Sequence, residues 1–186
     1  MKRIIDLLLV VIFFSILVLP MILIFISVRL TSKGPAIYWS DRVGKNNSIF
    51  KMPKFRSMLI QTPTVATHLL KEPDSYLSPI GGFLRRTSLD ELPQLLSVLK
   101  GDMSFVGPRP ALYNQYDLIE LRTKNGVDKL LPGITGWAQV NGRDKLSIPD
   151  KASLEIEYLK RQSILFDIKI LLRTLLKVFK RDEINH

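Results

Sequence analysis

Residues 7–28 read LLLVVIFFSILVLPMILIFISV, a run with no charged side chain. It is long enough for about one bilayer crossing. A cleaved signal peptide fits poorly. Its apolar core is shorter and a small-residue cleavage site follows it, whereas here Arg29, Leu30 and Thr31 follow. Pro20 sits within the run, where a proline removes a helix hydrogen bond and bends the helix. Basic residues flank both ends: Lys2 and Arg3 before, Arg29, Lys33, Arg42 and Lys45 after. The excess of cations that usually sets orientation is therefore silent. Two topologies remain open on these residues. One is an ordinary kinked span; the other is a helix that bends at Pro20 and returns to the face it entered from.

A second apolar helix is predicted at the other end. In residues 164–181, ILFDIKILLRTLLKVFKR, apolar side chains recur with a helical period, and Lys169, Arg173, Lys177 and Arg181 repeat every four residues beside them. A core helix with a solvated charged face has this pattern. Phe166, Ile170 and Val178 widen the apolar sector, and a basic helix with a broad apolar face suits the lipid interface. Charge enters here. Lys and Arg number 27 against 17 Asp and Glu, a formal net charge of +10. That surplus favours polyanions, and beside a membrane-embedded segment anionic membrane lipid is the nearest one. Nucleic acid is not expected: there is no zinc-finger spacing, RNA-binding aromatic motif or basic heptad region.

Between these ends, roughly 150 residues suffice for one core. The expected fold is α+β and mainly helical: an N-terminal membrane helix, a small β-hairpin, and amphipathic interfacial helices around a compact catalytic core. Residues 1–30 form the membrane-embedded part and 31–186 the membrane-associated catalytic domain. "AIYW" and "SIFKM" read as strands joined by the turn "GKNN". Residues 60–80 read as an irregular surface loop, Ser88 to about Lys100 as a helix closed by Gly101, residues 111–130 as a helix ending near Gly126, and the chain from about Pro149 as helical.

The chemistry-bearing stretch is "RRTSLDELPQL", residues 85–95. Ser88-x-x-Glu91 has the form of a capping box. Pro93 argues against its simplest version, since a helix begun at Ser88 would need an amide donor there. Asp90 and Glu91 are also suited to two roles around one bound group, or to holding a hard cation together with substrate phosphates. Arg42, Arg85, Arg109 (between Pro108 and Pro110) and Arg143 (after a glycine-rich loop) offer planar forks for phosphate. The absence of cysteine removes thiolate chemistry and cysteine metal sites. His68 and His186 have no neighbouring His or Cys, and no serine-nucleophile, P-loop or dinucleotide motif is present.

"KFRSM", "RRTSLDELPQL", "GDMSFVGPRP" and "PGITGWAQVNGR" occur in this order. With them the chain resembles the bacterial sugar transferase family, monotopic phosphoglycosyl transferases that begin glycoconjugate assembly on polyprenyl phosphate. The resemblance runs from "KRIIDLLL" to "LFDIKILL" and suggests the small form of the family, with one membrane segment. It implies transfer of a sugar-1-phosphate from a UDP-sugar to undecaprenyl phosphate, with release of UMP and magnesium as cofactor. This is the first membrane step towards an O-antigen, capsule, exopolysaccharide or glycoprotein glycan. It implies Asp90 as the nucleophile that carries a phosphosugar, with Glu91 as acid/base partner and Asp90 also a candidate magnesium ligand. Arg85, Arg109 and Arg143 fall to the donor phosphates. It further implies a re-entrant N-terminal helix broken at Pro20, and an active site on the cytosolic face of the bacterial inner membrane. Where the family usually has "LD" before a tyrosine, this chain has Leu154-Glu155 with Tyr158 after it. Glu155 is therefore a candidate metal ligand or structural carboxylate. The residue before Pro20 is Leu19 rather than the frequent serine, and Ser40-Asp41 replaces the commoner Gln-Glu before "RVG". The donor sugar is not legible, nor is the formation of a homo-oligomer. Two other readings compete: a basic membrane-anchored module without activity, and a glycosyltransferase that moves sugar without phosphate.

Overall fold

The structure is a computed structural model that describes residues 1–63, 65, 72–142 and 145–180. Arg143, His68 and His186 lie outside the described residues. Helix α1 (Lys2–Thr31) contains the whole apolar run and is long and apolar enough to cross a membrane. One stripe of it faces the rest of the chain. Arg3, Asp6, Val10, Phe13, Leu17, Met21, Ile24 and Val28 follow one another at three- and four-residue steps, all in contact with the domain. Leu8, Val11, Ile12, Leu19, Leu23 and Ile26 lie on the outer side and are exposed. The backbone stays helical through Pro20, so the break expected there does not divide α1 into two helices. Proline deletes a single hydrogen bond, and Leu17 and Met21 pack on the domain on either side of it.

The start of α1 is polar and is clasped by the domain. Asp6 is 3% exposed; its Oδ1 accepts from the Ser104 hydroxyl and the Phe105 amide, each at 3.0 Å. Arg3 donates to the carbonyls of Val98 and Leu99, and Lys2 pairs with Asp167, which also accepts from the Tyr158 hydroxyl at 2.7 Å. At the other end Val28 is fully buried and Arg29 donates to the Gly34 carbonyl at 2.9 Å. Both ends of the apolar helix are thus attached to the same body.

The expected hairpin is present and longer than the sequence suggested. β1 (Ile37–Val43) pairs antiparallel with β2 (Ile49–Phe55) around a turn in which Asn46 and Asn47 take left-handed conformations. Asparagine tolerates that region better than most residues. β2 is an edge strand, which accommodates Pro53. A short strand β4 (Ala111–Leu112) adds to the free side of β1. This corrects the helix expected over 111–130. Pairing with Arg42 and Val43 claims its first residues as strand, α4 occupies only Tyr116–Lys124, and a separate helical turn, Val127–Lys129, follows Gly126.

A second, parallel pair joins β3 (Ser104–Val106) to β5 (Gly133–Thr135). The glycines of "FVGPRP" and "PGITG" serve this contact. A Cβ on Gly136 would lie 2.0 Å from the Gly107 carbonyl oxygen, and one on Gly107 would lie 2.3 Å from that of Leu131. Only glycine lets the two backbones approach so closely. Helices α5 (Trp137–Asn141), α6 (Ile148–Arg161) and α7 (Ile164–Lys180) complete the chain. The main core joins Val10 of α1 to Met52, Val98, Phe105, Trp137, Tyr158, Phe166 and Ile170. In α7, Phe166 and Ile170 make the inward contacts, whereas Leu165, Ile168, Leu172, Leu175 and Leu176 are exposed. The longer apolar stripe of this helix therefore faces away from the core.

Candidate active site

Asp90 and Glu91 lie on a short helical turn, Leu89–Gln94, between α2 (Gly81–Arg86) and α3 (Leu95–Lys100). The single helix expected from Ser88 to Lys100 is divided near Pro93. That ring cannot donate in a continuing helix, and α-helical geometry begins only at Leu95. Gly101, at φ 97°, closes it as expected. The capping box is not formed. Ser88 is left-handed, at φ 56°, and makes no side-chain cap; its carbonyl accepts from the Glu91 amide instead. The Glu91 carboxylate points away from the turn, and its Oε1 accepts from Lys54 Nζ at 2.8 Å and from Arg109 Nη2 at 3.0 Å. A local helix-start reading therefore fails at this turn, and long-range ion pairing replaces it.

Asp90 is 8% exposed. Burial pushes its carboxyl above the ordinary carboxylate range. Lys54 pulls against that rise, Glu91 adds to it, and Arg85 and Arg109 oppose it. Burial also holds the Lys54 ammonium below the usual lysine range, with Glu91 opposing. Arg42 is lowered to about 10, first by burial and then by the nearby charge of Arg109. Four cations, Arg42, Lys54, Arg85 and Arg109, thus share electrostatic range with two carboxylates. The site has positive charge in excess of its own anions, which suits a ligand carrying several negative charges.

Each cation is brought by a different element. Arg42 comes from β1 and Lys54 from β2. Arg85 comes from the last turn of α2, with Nη1 3.0 Å from Met58 Sδ. Arg109 comes from the loop between β3 and β4. Of the residues singled out in the sequence, Asp90, Glu91, Arg42, Arg85 and Arg109 are brought together. Lys54 was missed, although it opens the motif "KFRSM". The signal lay in strand alternation, which sets this lysine on the same side of β2 as the buried Met52. Glu155 does not stand ready for a metal. It is 2% exposed, its Oε2 accepts from Arg122 Nε at 2.7 Å, and its Oε1 accepts from Arg122 Nη2 at 2.5 Å. Arg122 itself had no distinguishing signal in the sequence.

A resident metal cage is not seen among the described residues, where no group of three or more His, Asp or Glu is placed to hold an ion. The donor set does fit an ion shared with substrate. Glu91 is already paired with two cations, Asp90 is a buried carboxylate whose ionisation a cation would favour, and magnesium takes one or two carboxylates alongside phosphate oxygens.

Known proteins are similar to this chain along most of its length. Residues 1–181 match the family described as bacterial sugar transferase. The UDP-glucose:undecaprenyl-phosphate glucose-1-phosphate transferase of Escherichia coli K12 is 43% identical over 166 residues, which cover 83% of this chain and 35% of that protein. The galactosyl transferase CpsE of Streptococcus agalactiae is 41% identical over 154 residues, 76% of this chain and 34% of its own. An uncharacterized sugar transferase of Bacillus subtilis, EpsL, is 40% identical over 161 residues, 85% of this chain and 77% of its own. The chain spans 34% and 35% of the first two relatives. With a match that runs from the clasped start of α1 through the acidic turn to the end of α7, the chain belongs to the bacterial sugar transferase family.

Proposed function

We propose that the protein transfers a sugar-1-phosphate from a UDP-sugar to undecaprenyl phosphate through a phosphosugar carried on Asp90. The observation that carries this reading is a buried aspartate beside Glu91 and within the field of Lys54, Arg85 and Arg109, with Arg42 beyond them near Arg109 and Glu91. In the first step an Asp90 oxygen attacks the phosphorus that bears the sugar. The bond from that phosphorus to the bridging oxygen breaks, and UMP leaves with the electron pair. In the second step a phosphate oxygen of the acceptor attacks the same phosphorus, Asp90 leaves, and a polyprenyl diphosphate sugar is formed. Two modest displacements replace one difficult one. Arg85 and Arg109, with Arg143 outside the described residues, meet the donor phosphates. Lys54 keeps Asp90 ionised against its burial. Magnesium bound by Asp90 and the diphosphate would neutralise charge on the departing UMP.

With Asp90 ionised, neither step moves a proton, because the acceptor phosphate and both leaving groups are anions. Glu91 is engaged by Lys54 and Arg109, so we read it as the anion that holds those two cations in place rather than as a proton carrier. The attachment of both ends of α1 to one body supports a helix that stays on the domain's side of the membrane, because a simple span would carry one end across the bilayer; re-entry then requires α1, unbroken through Pro20 in the structure, to bend there within lipid. The exposed stripe of α7 supports contact with anionic lipid at the same face. We place that face in the cytosol, at the inner membrane of a bacterium, where the product enters glycoconjugate assembly.

The test is a panel of UDP-sugars incubated with the purified protein, magnesium and undecaprenyl phosphate. UMP release with formation of a lipid diphosphate sugar is expected. Release of UDP would instead make the protein an ordinary glycosyltransferase, and no turnover with any donor would favour a binding module.

A further inference from the structure

The loop that presents Arg109 is held from behind by two other arginines. The Arg109 carbonyl accepts from Arg122 Nη2 at 2.9 Å, and the next carbonyl, that of Pro110, accepts from Arg42 Nη1 at 3.1 Å. Arg122 can do this because Glu155 fixes its plane. The Glu155 carboxylate accepts from Nε and from one Nη2 hydrogen, leaving the second Nη2 hydrogen for the loop. Both members are buried, at 7% and 2% exposure, and neither is needed by the chemistry written above. Arg122 belongs to α4 and Glu155 to α6, so the pair ties two helices to a single backbone oxygen beside the site. Pro108 and Pro110 remove two amides from this loop. Its carbonyls therefore depend on donors from elsewhere, and the Pro108 carbonyl takes the Gly133 amide at 2.8 Å.

We infer that Arg122 and Glu155, with Arg42 as the second support, are positioning residues that aim Arg109 at the donor phosphates. The inference rests on the reading of Arg109 given above. A buried ion pair is a weak means of stabilising a fold, because desolvation offsets much of the attraction. A planar fork that satisfies a carboxylate and a loop carbonyl together is well suited to fixing geometry. Arg109 reaches Glu91 Oε1 from this fixed backbone. A displacement of about 1 Å at such a group can lower a rate about 100-fold. The pair also gives Glu155 a purpose that a shorter aspartate can serve only by drawing α6 closer to α4.

Replacing both partners, Arg122→Met with Glu155→Leu, avoids leaving a lone buried charge. The full-length protein is studied in nanodiscs by three measurements: thermal melting, hydrogen exchange of a peptide covering residues 107–112, and UMP release. The variant is expected to melt close to wild type, to exchange faster in that peptide, and to lose about 100-fold in turnover. Adding Arg109→Ala should then cost less than about threefold more, since both changes remove the same aimed group. Glu155→Asp, which keeps the charge but reaches Arg122 only if α6 shifts towards α4, should lose part of that turnover, less than the double variant loses. A folded double variant with wild-type exchange or turnover overturns the inference, as does a loss that multiplies with that of Arg109→Ala. If the double variant does not fold, Arg122→Lys, which keeps the charge without the fork, is expected to give the same loop exchange and turnover loss, and wild-type values there overturn the inference. Failure of the wild type to release UMP strikes the proposed reaction instead, and hydrogen exchange still decides the positioning.

Discussion

Replacing Glu91 by glutamine separates two roles that its place beside Asp90 permits. Its Oε1 lies 2.8 Å from Lys54 Nζ and 3.0 Å from Arg109 Nη2, with side-chain exposures of 12%, 15% and 28% for Glu91, Lys54 and Arg109. Hydrogen bonds to a charged group contribute about 1.5–3 kcal/mol each, so two are worth about 3–6 kcal/mol. Glutamine keeps a carbonyl oxygen that can still accept, which recovers about 1–2 kcal/mol as neutral hydrogen bonding. The net loss is then about 2–4 kcal/mol. Expressed wholly in the transition state it lowers kcat/KM by about 30- to 1000-fold, at 1.36 kcal/mol per decade. Expressed wholly in folding it lowers Tm by about 4–16 °C for a chain of this size. The shape of the pH profile discriminates. With no proton to move, Glu91→Gln lowers the plateau of UMP release and keeps both sides of the profile, while its acid limb moves to lower pH, because the Glu91 charge helps to raise the Asp90 pKa. A profile that loses one limb while reaching the wild-type plateau elsewhere would refute the organising role and restore proton transfer to Glu91.

Ser88→Ala is expected to change stability by less than about 0.5 kcal/mol, because Ser88 makes no side-chain cap, while Ser88→Gly should add about 1 kcal/mol by relieving its left-handed backbone; chemical denaturation measures both, and a loss above about 1 kcal/mol in the alanine variant would restore the capping box. Gly136→Ala places a methyl group 2.0 Å from the Gly107 carbonyl oxygen; overpacking of this kind costs about 1–3 kcal/mol, so a lower Tm and lost UMP release are expected, and a variant matching wild type in both would contradict the close packing. UMP release should fall towards acid pH as Asp90 takes up a proton. Since burial raises the Asp90 pKa, that decline begins above the ordinary carboxylate range, and an acid limb at or below that range would contradict the burial assigned to Asp90.

Features that depend on local pattern were legible in the sequence. The apolar run of α1, the hairpin around "GKNN", the closing Gly101 and the amphipathic α7 all follow from spacing and turn chemistry. The residues around the acidic turn were legible only as motifs in order, because what joins them is long-range. Lys54 and Glu91 are 37 positions apart, and Arg122 and Glu155 are 33 apart. No periodicity links such partners. The same holds for Asp6, which reads as a charge before a membrane segment and is in fact a buried acceptor for β3. Local signals also misled where tertiary pairing was stronger. Ser88-x-x-Glu91 has a capping sequence, yet Lys54 and Arg109 claim the glutamate. Residues 111 and 112 sit in an apparently helical stretch, yet β1 claims them as strand.

The central claim is that Asp90 carries the phosphosugar. It is tested most directly by incubating the protein with its UDP-sugar and magnesium but no acceptor, then measuring intact mass. The account predicts a gain equal to one phosphosugar, one UMP released per enzyme, and an adduct on the peptide containing Asp90 that disappears when undecaprenyl phosphate is added. Asp90→Asn should show neither adduct nor UMP. An unmodified protein that nevertheless turns over fully once acceptor is supplied, or an adduct on another residue, would contradict it.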